Sequence, residues 1–166
     1  MKNKFMKMSV KIKGFSVIEM MVVVAIIAIL AMMAIPSSLD KIIREQVAAA
    51  LPLADAAKEP AAELWKKEKK IADNNEALGL PTPDKVVGNF IKSTTFENGA
   101  IHMVFGNKAH KNIHDKTLSI RAAVIEESNA VPIAWVCGNA KTPDKMTVKG
   151  TNKTDLAKEF LPLGCR

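Results

Sequence analysis

The apolar residues of the chain are concentrated in one unbroken run near its start. Residues 15–35 contain one ionisable side chain, Glu19, and every residue from Met20 to Ile35 is apolar. At 1.5 Å per residue, a helix over this segment is about 31 Å long, which matches the hydrocarbon core of a bilayer. The pattern therefore predicts a membrane-spanning helix over residues 15–35.

Beyond this run the pattern becomes amphipathic. From Ser37 to about Ala72, apolar side chains recur every three or four positions, at Ile43, Val47, Ala50, Ala54, Ala57, Ala61 and Leu64. This spacing predicts a helix with a narrow, alanine-rich face suited to close docking of a sheet. Pro52 and Pro60 lie within the stretch, and we expect kinks there because each proline removes a backbone hydrogen bond.

The second half of the chain has the pattern of short strands divided by turns. Residues 73–84 contain Asn, Gly and two Pro and are predicted to form a loop. Four β-prone runs follow, at residues 86–93, 100–105, 117–125 and 131–137. The predicted fold class is α+β, with a long N-terminal α-helix packed against a four-stranded antiparallel β-meander. The alternation also predicts that His102 points outward as a surface residue.

Charge is distributed unevenly along the chain. The 166 residues include 24 Lys+Arg and 17 Asp+Glu, for a net charge of +7. Five of the lysines and no acid precede Phe15, so the positive-inside rule places residues 1–14 in the cytoplasm and the rest across the membrane. Without residues 1–14 the chain has 19 basic and 17 acidic side chains. The charge that seemed to indicate nucleic-acid binding therefore belongs mostly to the N-terminal segment.

Several fates are open to such an N-terminus. Ala34 has the size for the last residue of a secretory signal peptide, but Met32 at the −3 position is a poor fit. A lipoprotein signal is excluded because no Cys stands directly after the apolar segment. A plain anchor leaves Glu19 unexplained, since an acid in a membrane segment costs about 2.5–3.5 kcal/mol. The alternative explanation is that Glu19 lies near the cytoplasmic end and extends to the headgroups.

The residues around Glu19 resemble the class III signal of type IV pilins. Lys13-Gly14-Phe15-Ser16-Val17-Ile18-Glu19 has a basic leader that ends in Gly, then Phe, with Glu as the fifth residue after the junction. The resemblance implies that a prepilin peptidase cuts between Gly14 and Phe15 and that the new Phe15 amine is N-methylated. It also implies that Glu19 pairs with the Phe15 amine of a neighbouring subunit, which would make burial of both charges tolerable.

The resemblance extends to the rest of the chain. It implies a cleaved leader over residues 1–14, a transmembrane and assembly helix over 15–35, and a globular domain over 36–166 with its sheet within residues 86–137. Pro36 stands where many pilins have a helix-bending proline, and Ala28 replaces the glycine that often precedes it by eight residues. Local melting between Ala28 and Pro36 on assembly is therefore less strongly indicated than in other pilins.

The only cysteines, Cys137 and Cys165, are an even number in a chain predicted to be translocated, which indicates a disulfide. By resemblance, residues 137–165 are the pilin D-region, a loop usually exposed on the fibre. The implied function is a structural subunit that polymerises through its N-terminal helix into a surface filament for adhesion and motility. It would lie in the inner membrane before assembly and on the cell surface afterwards. Its partners would be other subunits, the prepilin peptidase and the assembly machinery.

Two alternatives stay open from the sequence. A minor pilin acting as a DNA receptor would use the basic bias of the D-region, namely Lys141, Lys145, Lys149, Lys153 and Lys158. A type II secretion pseudopilin would share the leader and Glu19, although a disulfide is unusual there.

Catalytic and metal sites are not indicated. His110 and His114 have a spacing that suits a metal on a helix, but they lie in a polar connection, so a solvated loop is predicted. The sequence has no nucleophile elbow, phosphate-binding loop or carboxylate pair, and neither a cofactor nor enzymatic activity is expected.

Overall fold

A computed structural model describes residues 14–166, and over residues 33–37 it describes the backbone alone. The predicted leader, apart from Gly14, therefore lies outside the described residues. The chain falls into two compact units, with the boundary between Ser38 and Leu39.

The first unit is mainly helical. Helix α1, Val17–Ala50, begins in this unit and continues into the second. Every residue from 14 to 32 is exposed. The backbone is helical through Pro36 in the single subunit, and the helix break expected at Pro36 stays a prediction. Melting between Ala28 and Pro36 on assembly stays a prediction. Among the side chains that are described, no helix has both the length and the apolar content required to cross a membrane.

Pro52 divides the helical part of the second unit. Helix α1 ends at Ala50, a 3-10 turn occupies Leu51–Ala54, and α2 follows as Asp55–Glu68. The interruption confirms the kink predicted at Pro52, which removes one hydrogen bond from the helical ladder. The kink predicted at Pro60 does not divide the helix, because α2 continues through that residue to Glu68.

Five strands form one antiparallel sheet. They are β1, Ile91–Glu97; β2, Ala100–Phe105; β3, Thr117–Val124; β4, Ala134–Cys137; and β5, Thr147–Val148. The order is β1-β2-β3-β4, which confirms the predicted meander, and β5 also pairs with β3. The first strand begins later than predicted because the chain bends at residues 89–90, where the Gly88 N–H donates to the Ile91 carbonyl at 2.9 Å. Strand β5 was not predicted, since two residues cannot display an alternation.

The helical stripe and one face of the sheet share the main core. The stripe positions Ile43, Val47, Ala50, Ala54, Ala57 and Ala61 are all buried. They pack in one cluster with alternate residues of β2 and β3, namely Ile101, Met103, Phe105, Leu118 and Ile120. At the C-terminal end of the helical stripe, the predicted buried position was wrong by one residue, because Trp65 is buried and Leu64 is only partly buried. Within α2 the buried positions recur every four residues, at Ala57, Ala61 and Trp65.

The loop over residues 73–84 is confirmed, and a buried amide organises it. Asn75 donates from Nδ2 to the carbonyls of Pro81 and Thr94, at 3.0 and 3.2 Å, and its Oδ1 accepts from the Phe96 N–H at 2.6 Å. Since these bonds join the loop to β1, the loop has a defined position against the sheet.

Candidate functional site

The predicted cleavage junction lies in an open segment before α1. Gly14, Phe15 and Ser16 are not helical, and all three are exposed. Among residues 14–166, none has an atom within 4 Å of a Cβ added to Gly14. No described residue therefore covers the bond between Gly14 and Phe15.

Glu19 forms a reciprocal cap with Ser16 at the start of α1. The Ser16 Oγ accepts from the Glu19 N–H at 3.2 Å, and the Glu19 Oε2 accepts from the Ser16 N–H at 3.4 Å. This is a capping box, and it places a carboxylate beside the helix N-terminus, where negative charge is favoured. The Ser-x-x-Glu sequence is its usual signal, although the cap was not predicted from it.

The disulfide closes the D-region at the edge of the sheet. Cys137 and Cys165 are bonded, with an S–S distance of 2.03 Å and a sequence separation of 28, which confirms the predicted pair. Beside the bond, the Gly138 N–H donates to the Ser119 carbonyl at 2.8 Å, and the Asn139 N–H donates to the Cys165 carbonyl at 3.0 Å. Both ends of the D-region are thus held against β3 and β4.

A second attachment lies near the far end of the D-region. The Lys153 N–H donates to the Ser119 Oγ at 2.9 Å, and the Ser119 N–H donates to the Thr154 Oγ1 at 3.0 Å. The Thr117 N–H donates to the Asp155 Oδ1 at 2.5 Å, and the Asp155 N–H donates to the Thr117 carbonyl at 3.2 Å. Residues 152–155 therefore run along β3 as an ordered segment, although little structure of its own was predicted for this loop.

The prediction that His102 is a surface residue was wrong. Its exposed fraction is 4%, its Nδ1 lies 2.9 Å from the Ser119 Oγ, and its Nε2 lies 3.4 Å from the Glu97 Oε2. Alternation correctly places His102 on the sheet face opposite the helix, but that face is covered by the D-region segment containing Lys153. Burial lowers the pKa of His102, and the Lys153 ammonium lowers it further, while Glu97 acts in the opposite direction.

The five D-region lysines do not act as a uniform basic patch. Lys149 pairs with Glu126, and Lys153 pairs with Glu97. Lys141, Lys145 and Lys158 are exposed. Because two of the five charges lie against carboxylates, less positive potential faces solvent than the lysine count indicates. DNA contact by these lysines stays a prediction.

The histidine pair lies in the connection between β2 and β3, as predicted. Residues 111–115 form turns, and His114 is exposed with its Nδ1 3.2 Å from the Asp115 Oδ2. The His110 N–H donates to the Gln46 Oε1 at 2.8 Å, which ties this connection to α1. Over residues 14–166, no group of three metal-ligating side chains comes together.

Gly150 permits the close contact between the D-region and the β1–β2 turn. Its φ is +76°, and an added Cβ would lie 2.6 Å from the Ala100 Cβ and 2.7 Å from the Ala100 N. We expect Gly150→Ala to lower the free energy of unfolding by about 2 kcal/mol or more, from overpacking and strain at positive φ. Thermal unfolding of the chain in detergent measures this change. Gly164→Ala is the matched control, since a Cβ there meets no atom of the described residues within 4 Å. Equal melting temperatures for the two variants would contradict the role given to Gly150.

Two known families match the chain. The family described as Pilin (bacterial filament) matches residues 44–166, and the prokaryotic N-terminal methylation motif matches residues 10–35. The first covers the sheet and the D-region, and the second covers the cleavage junction and Glu19.

Curated relatives match over most of their length. A type IV major pilin protein of Neisseria gonorrhoeae is 32% identical, over 93% of this chain and 87% of its own. A fimbrial protein of Neisseria meningitidis serogroup B is 29% identical, over 93% and 94%. Fimbrial protein Q of Moraxella bovis is 31% identical, over 93% and 97%. With its helix, antiparallel sheet and disulfide-closed loop, the chain therefore belongs to the type IV pilins, a family of structural subunits of bacterial filaments.

Proposed function

We propose that this pilin polymerises through the first part of α1 into a surface pilus after residues 1–14 are removed. The observation that supports this best is the exposure of the helix, since each side chain from residue 14 to residue 32 faces outward in the single subunit. An apolar surface of this kind is stable in lipid or among other apolar helices, but not in water. Head-to-tail packing of such helices forms a heterologous interface that does not close, which generates a filament.

Before assembly, residues 15–35 would hold the subunit in the inner membrane. The apolar run from Met20 to Ile35 supports this stage, and the lysines of residues 1–14 orient it with the leader in the cytoplasm. The prepilin peptidase, the assembly machinery and further subunits would be its partners. The assembled pilus would then serve adhesion and surface motility, as expected for fimbrial proteins.

Glu19 would direct the register between subunits. Cleavage leaves a positive amine on Phe15 at the start of a helix that becomes buried among apolar neighbours, and a buried charge without a partner is costly. In the described part of the chain, the hydrogen bonds to the Glu19 side chain involve Oε2 alone. Glu19 can therefore keep its local cap and receive the amine of a neighbouring Phe15 at Oε1.

The direct test is the chemical form of the subunit in fibres sheared from cells. Mass spectrometry is expected to find a chain that begins at Phe15 and bears one added methyl group. Fibres whose subunits keep residues 1–14, or preparations that lack this chain, would contradict the proposal.

A variant at the junction tests the cleavage step. We expect Gly14→Val to block removal of the leader and to leave the subunit in the membrane fraction without pili, because a branched side chain then stands at the scissile bond. The part of the subunit that the structure describes has room at this position, with no atom within 4 Å of an added Cβ. An unchanged melting temperature of the variant is the control, and mature Gly14→Val subunits in normal pili would overturn the assignment of the junction.

A further inference from the structure

Four polar side chains form a cluster beneath the D-region, which we name the clasp. They are Glu97 of β1, His102 of β2, Ser119 of β3 and Lys153 of the D-region. His102 and Ser119 are directly paired across β2 and β3, with exposed fractions of 4% and 0%. These two side chains are removed from water, and the His102 Nε2 forms no hydrogen bond with any described residue, so a change in the protonation of the ring is costly there.

The contacts assign the hydrogens of the clasp. The Ser119 Oγ accepts the Lys153 N–H at 2.9 Å and lies 2.9 Å from the His102 Nδ1. Because the His102 Nε2 lies 3.4 Å from the Glu97 Oε2, a negative group, we assign the hydrogen of the neutral ring to Nε2, and the Ser119 hydroxyl then donates to Nδ1. The contact between Nε2 and Glu97 is electrostatic, since it does not have the geometry of a hydrogen bond. The same Glu97 oxygen accepts from the Lys153 Nζ. Lys153 therefore forms two hydrogen bonds in the clasp, one from its backbone N–H to Ser119 and one from its side chain to Glu97.

A proton added to Nδ1 would disrupt this arrangement. The ring nitrogen would become a donor facing the serine hydroxyl, and a second positive charge would lie close to Lys153 in a buried site. The charged groups that face the ring are Glu97 and Lys153. On β3 the cation nearest in sequence to Ser119 is Arg121, whose Nη2 donates to the Gly138 carbonyl at 3.1 Å.

The sign of the pH dependence follows from these surroundings. Burial and Lys153 together lower the pKa of His102 from 6.5, so the unfolded or released state binds a proton more readily than the closed clasp does. The stability that the clasp contributes is therefore complete above about pH 6.5 and is lost as the pH falls below that value. Lys153 also lowers the pKa of Glu97 from 4.5, which adds a further loss only at more acidic pH.

We propose that His102 is an acid-sensitive latch for the D-region. At neutral pH it holds residues 150–155 on the outer face of the sheet, and when protonated it releases them, while the bond between Cys137 and Cys165 keeps the loop attached. The acidic form then presents a different surface on the same folded subunit. This inference concerns the subunit fold and does not depend on how subunits assemble.

Hydrogen–deuterium exchange of the full-length chain in detergent micelles tests the latch. After correction for the intrinsic pH dependence of exchange, we expect protection of residues 150–155 to fall at least about threefold between pH 7.5 and pH 5.5. His102→Asn is expected to abolish this pH dependence, since the amide does not titrate. His114→Asn is the matched control, because His114 is exposed and lies outside the clasp. No change in the wild-type chain, or an equal change in His102→Asn, would overturn the proposal.

A second variant keeps the test decisive if His102→Asn does not fold. Lys153→Met retains the backbone bond to Ser119 but removes the ammonium that disfavours a proton on His102. Because the closed clasp then accepts a proton on His102 more readily, we expect the loss of protection between pH 7.5 and pH 5.5 to become smaller than in the wild-type chain. Lys141→Met, an exposed D-region change, should leave this loss as large as in the wild-type chain. A loss of protection that is equally large in Lys153→Met would also overturn the latch.

Discussion

Glu19→Ala is expected to leave the subunit processed and inserted in the membrane but to reduce the yield of pili at least about tenfold, which corresponds to about 1.4 kcal/mol. The change removes the carboxylate that we assign to the neighbouring Phe15 amine, so each added subunit would bury a positive charge without a partner. The measurement is the amount of sheared pili relative to the amount of subunit in the membrane. Normal pilus yield from Glu19→Ala would contradict the pairing.

Two further variants separate this pairing from the capping box. Glu19→Gln keeps a side chain that can cap the helix but removes its charge, and we expect assembly to fail as it does in Glu19→Ala. Ser16→Ala removes one bond of the box, at a cost of about 1 kcal/mol to the helix start, and keeps the charge. It should therefore assemble nearly normally. If Glu19→Gln assembles and Ser16→Ala does not, the cap is the important function of Glu19 and the charge pairing is wrong.

Replacing both cysteines, as Cys137→Ser with Cys165→Ser, is expected to lower the free energy of unfolding by about 3.6 kcal/mol, because the unfolded chain regains the entropy of the open loop. For a unit of this size, the melting temperature should fall by roughly 10–15 °C. Thermal unfolding in detergent measures the shift.

Two comparisons make the disulfide prediction specific. Wild-type chain treated with reductant should lose the same stability as the double variant. Gly164→Ala should lose none, because a Cβ at this position, next to Cys165, has no close contact with the described residues. A shift of less than about 3 °C in the double variant would mean that the attachments at Ser119 and Thr117 already hold the D-region without the covalent bond.

Much of the fold was predictable because it depends on local periodicity. The positions from Ile43 to Ala61 repeat at helical spacing, and their burial follows from that spacing once a sheet lies beside them. The hairpin at Asn98 and Gly99 was also predictable, since both residues have positive φ and their types favour it. The junction at Gly14 and Phe15 was recognised because its motif lies in consecutive residues.

The errors arose where a distant segment decided the outcome. The alternation in β2 shows which face His102 occupies, but whether that face meets water depends on Lys153, 51 positions further along the chain. Strand β5 forms because the disulfide and the close contact at Gly150 bring Thr147 and Val148 beside β3. Neither contact leaves a periodic signal in the sequence. The cap between Ser16 and Glu19 had a local signal and was predictable in principle.

The positions at which the D-region is attached to the sheet also define where the protein can tolerate insertions. Between the disulfide at Cys137 and the start of β5 at Thr147, residues 141–145 are largely exposed and form no strand. Extra residues added there would lengthen a connection whose ends are both fixed, at a cost that grows only slowly with length. A foreign peptide placed in this segment would be carried by every copy of the subunit, so the chain offers a position for dense, repetitive display.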